Sequence, residues 1–140
     1  MNMEIRPFRY TDERMVVQLW RDCGLMVSHN DPHKDIKRKL AIQSDLFLVG
    51  IHDDQLVATV MAGYEGHRGW LNYLAVAPNL QRSGLGRQMV AEAEKRLSAL
   101  GCPKINLQVR RSNAGVMAFY KTLGFAEDDV ASMGKRLEKD

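Results

Sequence analysis

The chain has 140 residues, 45% of them hydrophobic and 26% charged, with a net charge of +3; that composition suits one globular core and excludes disordered, fibrous and disulfide-framework classes. Cys23 and Cys102 have no metal-ligand spacing, so no metal is expected. Met1 to Arg14 carries charge where a signal peptide is apolar, and no run approaches a membrane span, so a single cytoplasmic domain over residues 1–140, without a membrane partner, is expected.

Residues 4–8 read as an opening strand, after which Thr11 caps a helix with Asp12 and Glu13 in its first turn and Met15, Val16, Leu19 and Cys23 as its buried stripe. Asn30 and Asp31 before Pro32 start a second helix, with Ile36 and Leu40 facing inward. Its basic run, Lys37-Arg38-Lys39, has no interleaved aromatics and reads as a solvated face, so no nucleic acid is expected. Residues 46–51 and 56–64 form a hairpin across the Asp53-Asp54 turn, and residues 70–76 form a third strand that stops at Ala77-Pro78. From Ser83 a long amphipathic helix buries Leu85, Met89, Ala93 and Leu97, with Val90 and Leu100 alongside, and ends at Gly101. Residues 105–109 are β-like and imply a parallel crossover. Asn113 caps a last helix with Met117, Tyr120 and Leu123 on one face and Gly124 closing it, and residues 125–137 read as a final strand or hairpin.

The segment Gln81-Arg82-Ser83-Gly84-Leu85-Gly86-Arg87 joins a strand end to a helix start. Free first-turn amides and the positive end of the dipole make that junction an anion site, and Gly84 and Gly86 leave the approach open while Arg82 and Arg87 add charge. A tight turn alone explains such glycines equally well. The loop is no P-loop, because no Lys-Ser or Lys-Thr follows the glycines, and Met89 replaces the third glycine of a dinucleotide fingerprint.

Leu74-Ala75-Val76-Ala77-Pro78 followed by Gln81-Arg82-Ser83-Gly84-Leu85-Gly86 resembles the central motif of the GNAT acetyltransferase superfamily. A second block, residues 113–120 followed by Leu123-Gly124-Phe125, resembles that family's other signature. The resemblance implies an α/β (α+β) fold, a mixed sheet of about six to seven strands with about four helices and splayed parallel fourth and fifth strands. It also implies acetyl-coenzyme A as co-substrate, with no metal, and N-acetylation of an amine-bearing small molecule, peptide or protein. Backbone amides from Gln81 to Arg87 would hold the pyrophosphate, and Leu74, Ala75, Val76 and Asn113 the pantetheine arm. Tyr120 would serve as general acid or thiolate stabiliser, and the Val76 amide as oxyanion donor. On local grounds alone, Asn113 reads equally as an N-cap and Tyr120 as a core aromatic.

The general base is where the sequence departs from its relatives. Bacterial ribosomal-protein N-terminal acetyltransferases, similar in the Val-Arg-x-Ser-Asn stretch, carry a glutamate where this chain has Gln108. Glu65, His67 and Tyr73 are the remaining candidates, with Glu65 foremost, although residues 65–69 equally suit a solvated loop. Competing readings are a domain that binds acyl-coenzyme A without turnover, and a nucleic-acid binder using Lys37 to Lys39 with Arg110 and Arg111. Oligomeric state is left open, a homodimer included.

Overall fold

The computed structural model describes residues 1–140 and divides into two compact units, Met1–Leu107 and Gln108–Asp140. The first holds a five-stranded sheet in the order β1 (Glu4–Pro7), β2 (Phe47–His52), β3 (Gln55–Tyr64), β4 (Gly69–Val76) and β5 (Ile105–Asn106). Neighbours are antiparallel as far as β4, and β4 and β5 are parallel. Three helices belong to this unit: α1 (Glu13–Asp22), α2 (Pro32–Leu40) and α3 (Leu85–Ala99), the last being the crossover from β4 to β5. Asp53 and Asp54, at φ 49° and 60°, close the β2–β3 hairpin with the positive dihedrals that a two-residue mirror-image turn requires.

Val57 through Ala62 are buried without alternation, as expected of a central strand covered on both faces. One face carries Val16, Val17, Leu19 and Trp20 of α1 and Ile36 of α2 against Phe47, Val49, Met61 and Ala75. The other is covered by α3, which buries Leu85, Met89, Val90, Ala93 and Leu97, as its periodicity predicts; Leu100 is exposed.

Several expectations shift. The α1 stripe turns away from Met15, which is exposed, toward Val17 and Trp20. Thr11 does not cap α1; residues 10–12 form a short 3-10 turn, and Asp12 is buried, accepting from Arg6 Nη1 at 2.8 Å, Arg6 Nη2 at 3.0 Å and the Arg9 amide at 2.7 Å. A guanidinium fork satisfies a buried carboxylate more fully than helix amides do. Burial alone would raise the Asp12 carboxyl, but these partners outweigh it and hold its pKa below the ordinary value. The Lys37–Lys39 run is not one solvated face, because Lys39 turns inward to the Ala62 carbonyl, its pKa lowered by burial, while Arg38 pairs with Asp35 at 3.4 Å.

The second unit contains α4 (Ala114–Thr122). The Asn113 side chain accepts from the Val116 amide at 3.2 Å, and Gly124 at φ 94° lets the Gly124 and Phe125 amides donate to Lys121 and Tyr120 carbonyls at 3.1 Å. This is a Schellman closure, completed by the Phe125 ring set edge-on to Tyr120 at 5.5 Å. Residues 125–137 form no strand, and β5 covers two residues rather than 105–109, so the sheet has five strands instead of six to seven. The acidic run Glu127-Asp128-Asp129 and Gly134 interrupt the β-forming residues, and Val130, Met133 and Leu137 stay exposed.

Candidate functional site

The end of β4 is shaped by a bulge. Met61 pairs with Asn72 and Thr59 with Ala75, so Tyr73 and Leu74 together oppose Val60. Tyr73 takes the left-handed conformation, φ 53°, and the extra residue keeps Asn72, Tyr73 and Ala75 on the face that α1 and α2 cover. Beyond the bulge, the Ala77 amide donates to the Val57 carbonyl at 2.8 Å. The adjacent Val76–Ala58 pair is therefore the non-hydrogen-bonded kind, and both backbone groups of Val76 point away from β3. Its carbonyl accepts from Cys23 Sγ at 3.2 Å and Gln81 Nε2 at 3.1 Å; burial is the main reason that the Cys23 thiol pKa is raised. The parallel ladder ends after two pairs, Gly69↔Ile105 and Trp70↔Asn106, and β4 runs past it to Val76.

From Val76 the chain makes a 3-10 turn, Pro78–Leu80, extends at Gln81, turns left-handed at Arg82 (φ 66°) and Gly84 (φ 89°), and enters α3 at Leu85. No side chain caps this helix and no acidic residue occupies its first turn. Its first amides face outward at the positive end of the dipole, with Gln81, Arg82 and Arg87 exposed around them. Ser83 Oγ donates back to the Leu80 carbonyl, which pins the loop. A Cβ on Gly84 would meet nothing within 4 Å, so the space over the helix start is open and fits a phosphate group. Leu74, Ala75, Val76 and the loop from Gln81 through Ser83, Gly84, Leu85 and Gly86 to Arg87 thus form one continuous stretch of the first unit.

Asn113 and Tyr120 belong to the second unit. Asn113 is the N-cap of α4, and Tyr120 is buried beside Phe119 and Phe125, where burial pushes its phenol up to about 12. Glu65 lies in the β3–β4 loop, fully exposed, and accepts from the Arg68 amide and, at 2.8 Å, from the His67 amide. These bonds lower its pKa, the direction opposite to that which strengthens a base. His33 bonds Glu13 at 3.0 Å between α2 and α1.

Sequence reasoning overlooked Asp35 and Thr59. Asp35 Oδ2 accepts the Tyr73 hydroxyl at 2.6 Å, and Thr59 Oγ1 accepts from Trp20 Nε1 at 2.9 Å and donates to the Tyr73 carbonyl at 2.8 Å. Only a polar residue in the otherwise apolar middle of β3 hinted at Thr59.

A family model described as the acetyltransferase (GNAT) family matches residues 13–125. An acetyltransferase from Pectobacterium atrosepticum is 44% identical over 138 residues, 99% of this chain and 98% of that protein. One from Sodalis glossinidius is 45% identical over 139 residues, with the same coverage. The ribosomal-protein-S18-alanine N-acetyltransferase from Escherichia coli is similar in fold, with TM-score 0.76 and 23% identity over 91% of this chain and 79% of that one. So is the PaiA N-acetyltransferase from Thermoplasma acidophilum, solved in complex with coenzyme A, with TM-score 0.74 and 21% identity over 94% of each chain.

Proposed function

The chain belongs to the acetyltransferase (GNAT) family, and on that premise we propose that residues 1–140 act as one cytoplasmic domain transferring an acetyl group from acetyl-coenzyme A to a primary amine of a small molecule, peptide or protein. Bound acetyl-coenzyme A supplies the thioester, which the amine attacks directly in a ternary complex. The observation that carries this reading is the uncapped, open start of α3, fed by two left-handed residues and flanked by Arg82 and Arg87. Gln81 to Arg87 hold the pyrophosphate through backbone amides, Leu74, Ala75 and Val76 contact the pantetheine arm, and the outward amide of Val76 donates to the oxygen on which negative charge develops.

A free alkylamine, at about 10.4, loses its proton at pH 7 for about 4.6 kcal/mol, so the acceptor site must lower that cost. Tyr120 is assigned to the departing sulfur. With its pKa pushed up to about 12 by burial, full transfer to a thiolate near 8.5 is uphill by about 5 kcal/mol, and a hydrogen bond to the sulfur is the stronger part of the role. Thiol release on mixing the protein with acetyl-coenzyme A and a panel of amines tests the proposal; amine-dependent release supports it, and binding without release supports the non-catalytic alternative.

A further inference from the structure

Every residue from Ala126 to Lys139 is exposed, and the three large apolar side chains among them, Val130, Met133 and Leu137, are 74%, 92% and 89% exposed. A single apolar residue on a surface needs no explanation, but three this exposed in one short stretch form an uncovered patch. The segment joins no strand ladder, which leaves a row of backbone donors and acceptors along it. Two side-chain contacts tether it within the second unit: Gln108 Nε2 donates to Ser132 Oγ, and Arg111 lies 3.5 Å from Glu127.

The charges along this segment are ordered. Glu127, Asp128 and Asp129 lead it, Lys135 and Arg136 close it, and Ser132 lies midway. In one copy the adjacent carboxylates repel and disfavour a strand, whereas a second copy running antiparallel sets each acidic end beside a basic one. A two-fold axis normal to such a ribbon keeps every side chain on its own face. Directly opposed residues share a face, so their numbers must sum to an even total. An axis at Ser132 opposes Asp129 to Lys135, Asp128 to Arg136, Val130 to Gly134 and Ala131 to Met133. Moving it to Ala131 sets Asp129 against Met133, and moving it to Met133 sets Asp128 against Glu138. In the Ser132 register, Gly134, where a Cβ would meet nothing within 4 Å, leaves room for Val130, and Ala131, Met133 and Leu137 of both copies share the other face. Asp128 and Arg136 have interactions within their own copy, so the register rests on Asp129 and Lys135.

We propose that residues 127–137 are a dimerisation strand, which pairs antiparallel with the same segment of a second copy of this chain about a two-fold axis at Ser132. The surface is self-complementary in charge, covers its own apolar side chains and gives the unladdered backbone a partner. The pairing goes beyond acetyl transfer and does not depend on it. A two-stranded ribbon is marginal by itself, so the dimer forms at micromolar rather than nanomolar concentration.

Sedimentation equilibrium of the full chain, from about 1 μM to about 1 mM, should fit a monomer–dimer equilibrium with a Kd of about 10–100 μM. Asp129→Lys sets like charges together at both ends of the ribbon and should raise that Kd at least about tenfold, as should Lys135→Asp. The double variant Asp129→Lys/Lys135→Asp restores opposite pairs and should return the Kd to within about threefold of wild type. Ser132→Cys sets two thiols across the axis, within the span of a disulfide. Mild oxidation should therefore join two copies at position 132, by peptide mapping, at least about tenfold faster than Val130→Cys joins them at position 130, where the two copies lie about 13 Å apart along the ribbon. A monomer throughout the concentration range overturns the proposal. So does a dimer whose Kd ignores the charge reversals, a double variant that is not restored, or equal cross-linking at the two positions.

Discussion

Trp20 and Tyr73 stack at 3.8 Å between ring centroids, 15° from parallel, and are joined a second time through Thr59, which accepts from the Trp20 indole and donates to the Tyr73 carbonyl. Helix α1 and the bulge of β4 are thereby tied through a hydroxyl that is fully buried. Thr59→Val keeps the shape and leaves a buried donor and acceptor without that partner. Urea unfolding should show a loss of about 2–4 kcal/mol; a loss below about 0.5 kcal/mol would mean that the bridge does not hold the bulge.

Arg6 and Asp12 predict a pH dependence of stability. Because the folded-state pKa of Asp12 lies below its unfolded value of about 3.9, the pair contributes fully above that value, and the contribution is lost as pH falls through the folded pKa. Asp12→Asn should cost about 2 kcal/mol at pH 7, and the gap from wild type should narrow toward pH 3. An equal gap at both pH values would contradict the assignment.

Gly84→Val probes the helix start. The new side chain meets no neighbour, but φ 89° is strained for valine by about 1–2 kcal/mol, which an ordinary domain survives. Calorimetry should show acetyl-coenzyme A affinity reduced at least about tenfold, with an unchanged circular dichroism spectrum. Wild-type affinity in the folded variant would remove the pyrophosphate assignment.

Tyr120→Phe deletes a hydroxyl and keeps the ring between Phe119 and Phe125. Turnover should fall by about 10²- to 10⁴-fold with cofactor affinity little changed. Because burial raises the phenol to about 12, wild-type turnover should show no loss from Tyr120 ionisation between pH 7 and 10. Unaltered turnover beside an unaltered melting curve would make Tyr120 a core aromatic.

What the sequence made legible follows local chemistry. The paired turn aspartates, Pro32 after Asp31, the four-residue spacing from Leu85 to Leu97 and the Asn113 and Gly124 caps all act within a few residues, and each element appears. The bulge at Tyr73 was not legible, because it depends on register against Thr59 and Met61 in β3. Asp12 misled for a similar reason: its partner is Arg6, on β1, rather than the helix amides that follow it. Asp35 sits in a charged helix and gives no sign in sequence that its carboxylate faces a tyrosine thirty-eight positions away.

The account stands or falls on acetyl transfer to an amine. The most direct measurement follows free thiol and acetylated product together, by mass spectrometry, in mixtures of the protein, acetyl-coenzyme A and primary amines or amine-bearing peptides. The account predicts one thiol released per acetylated amine, saturable in both substrates. Saturable binding of acetyl-coenzyme A with thiol release no faster than in buffer across the panel would contradict it and make the chain a binding module.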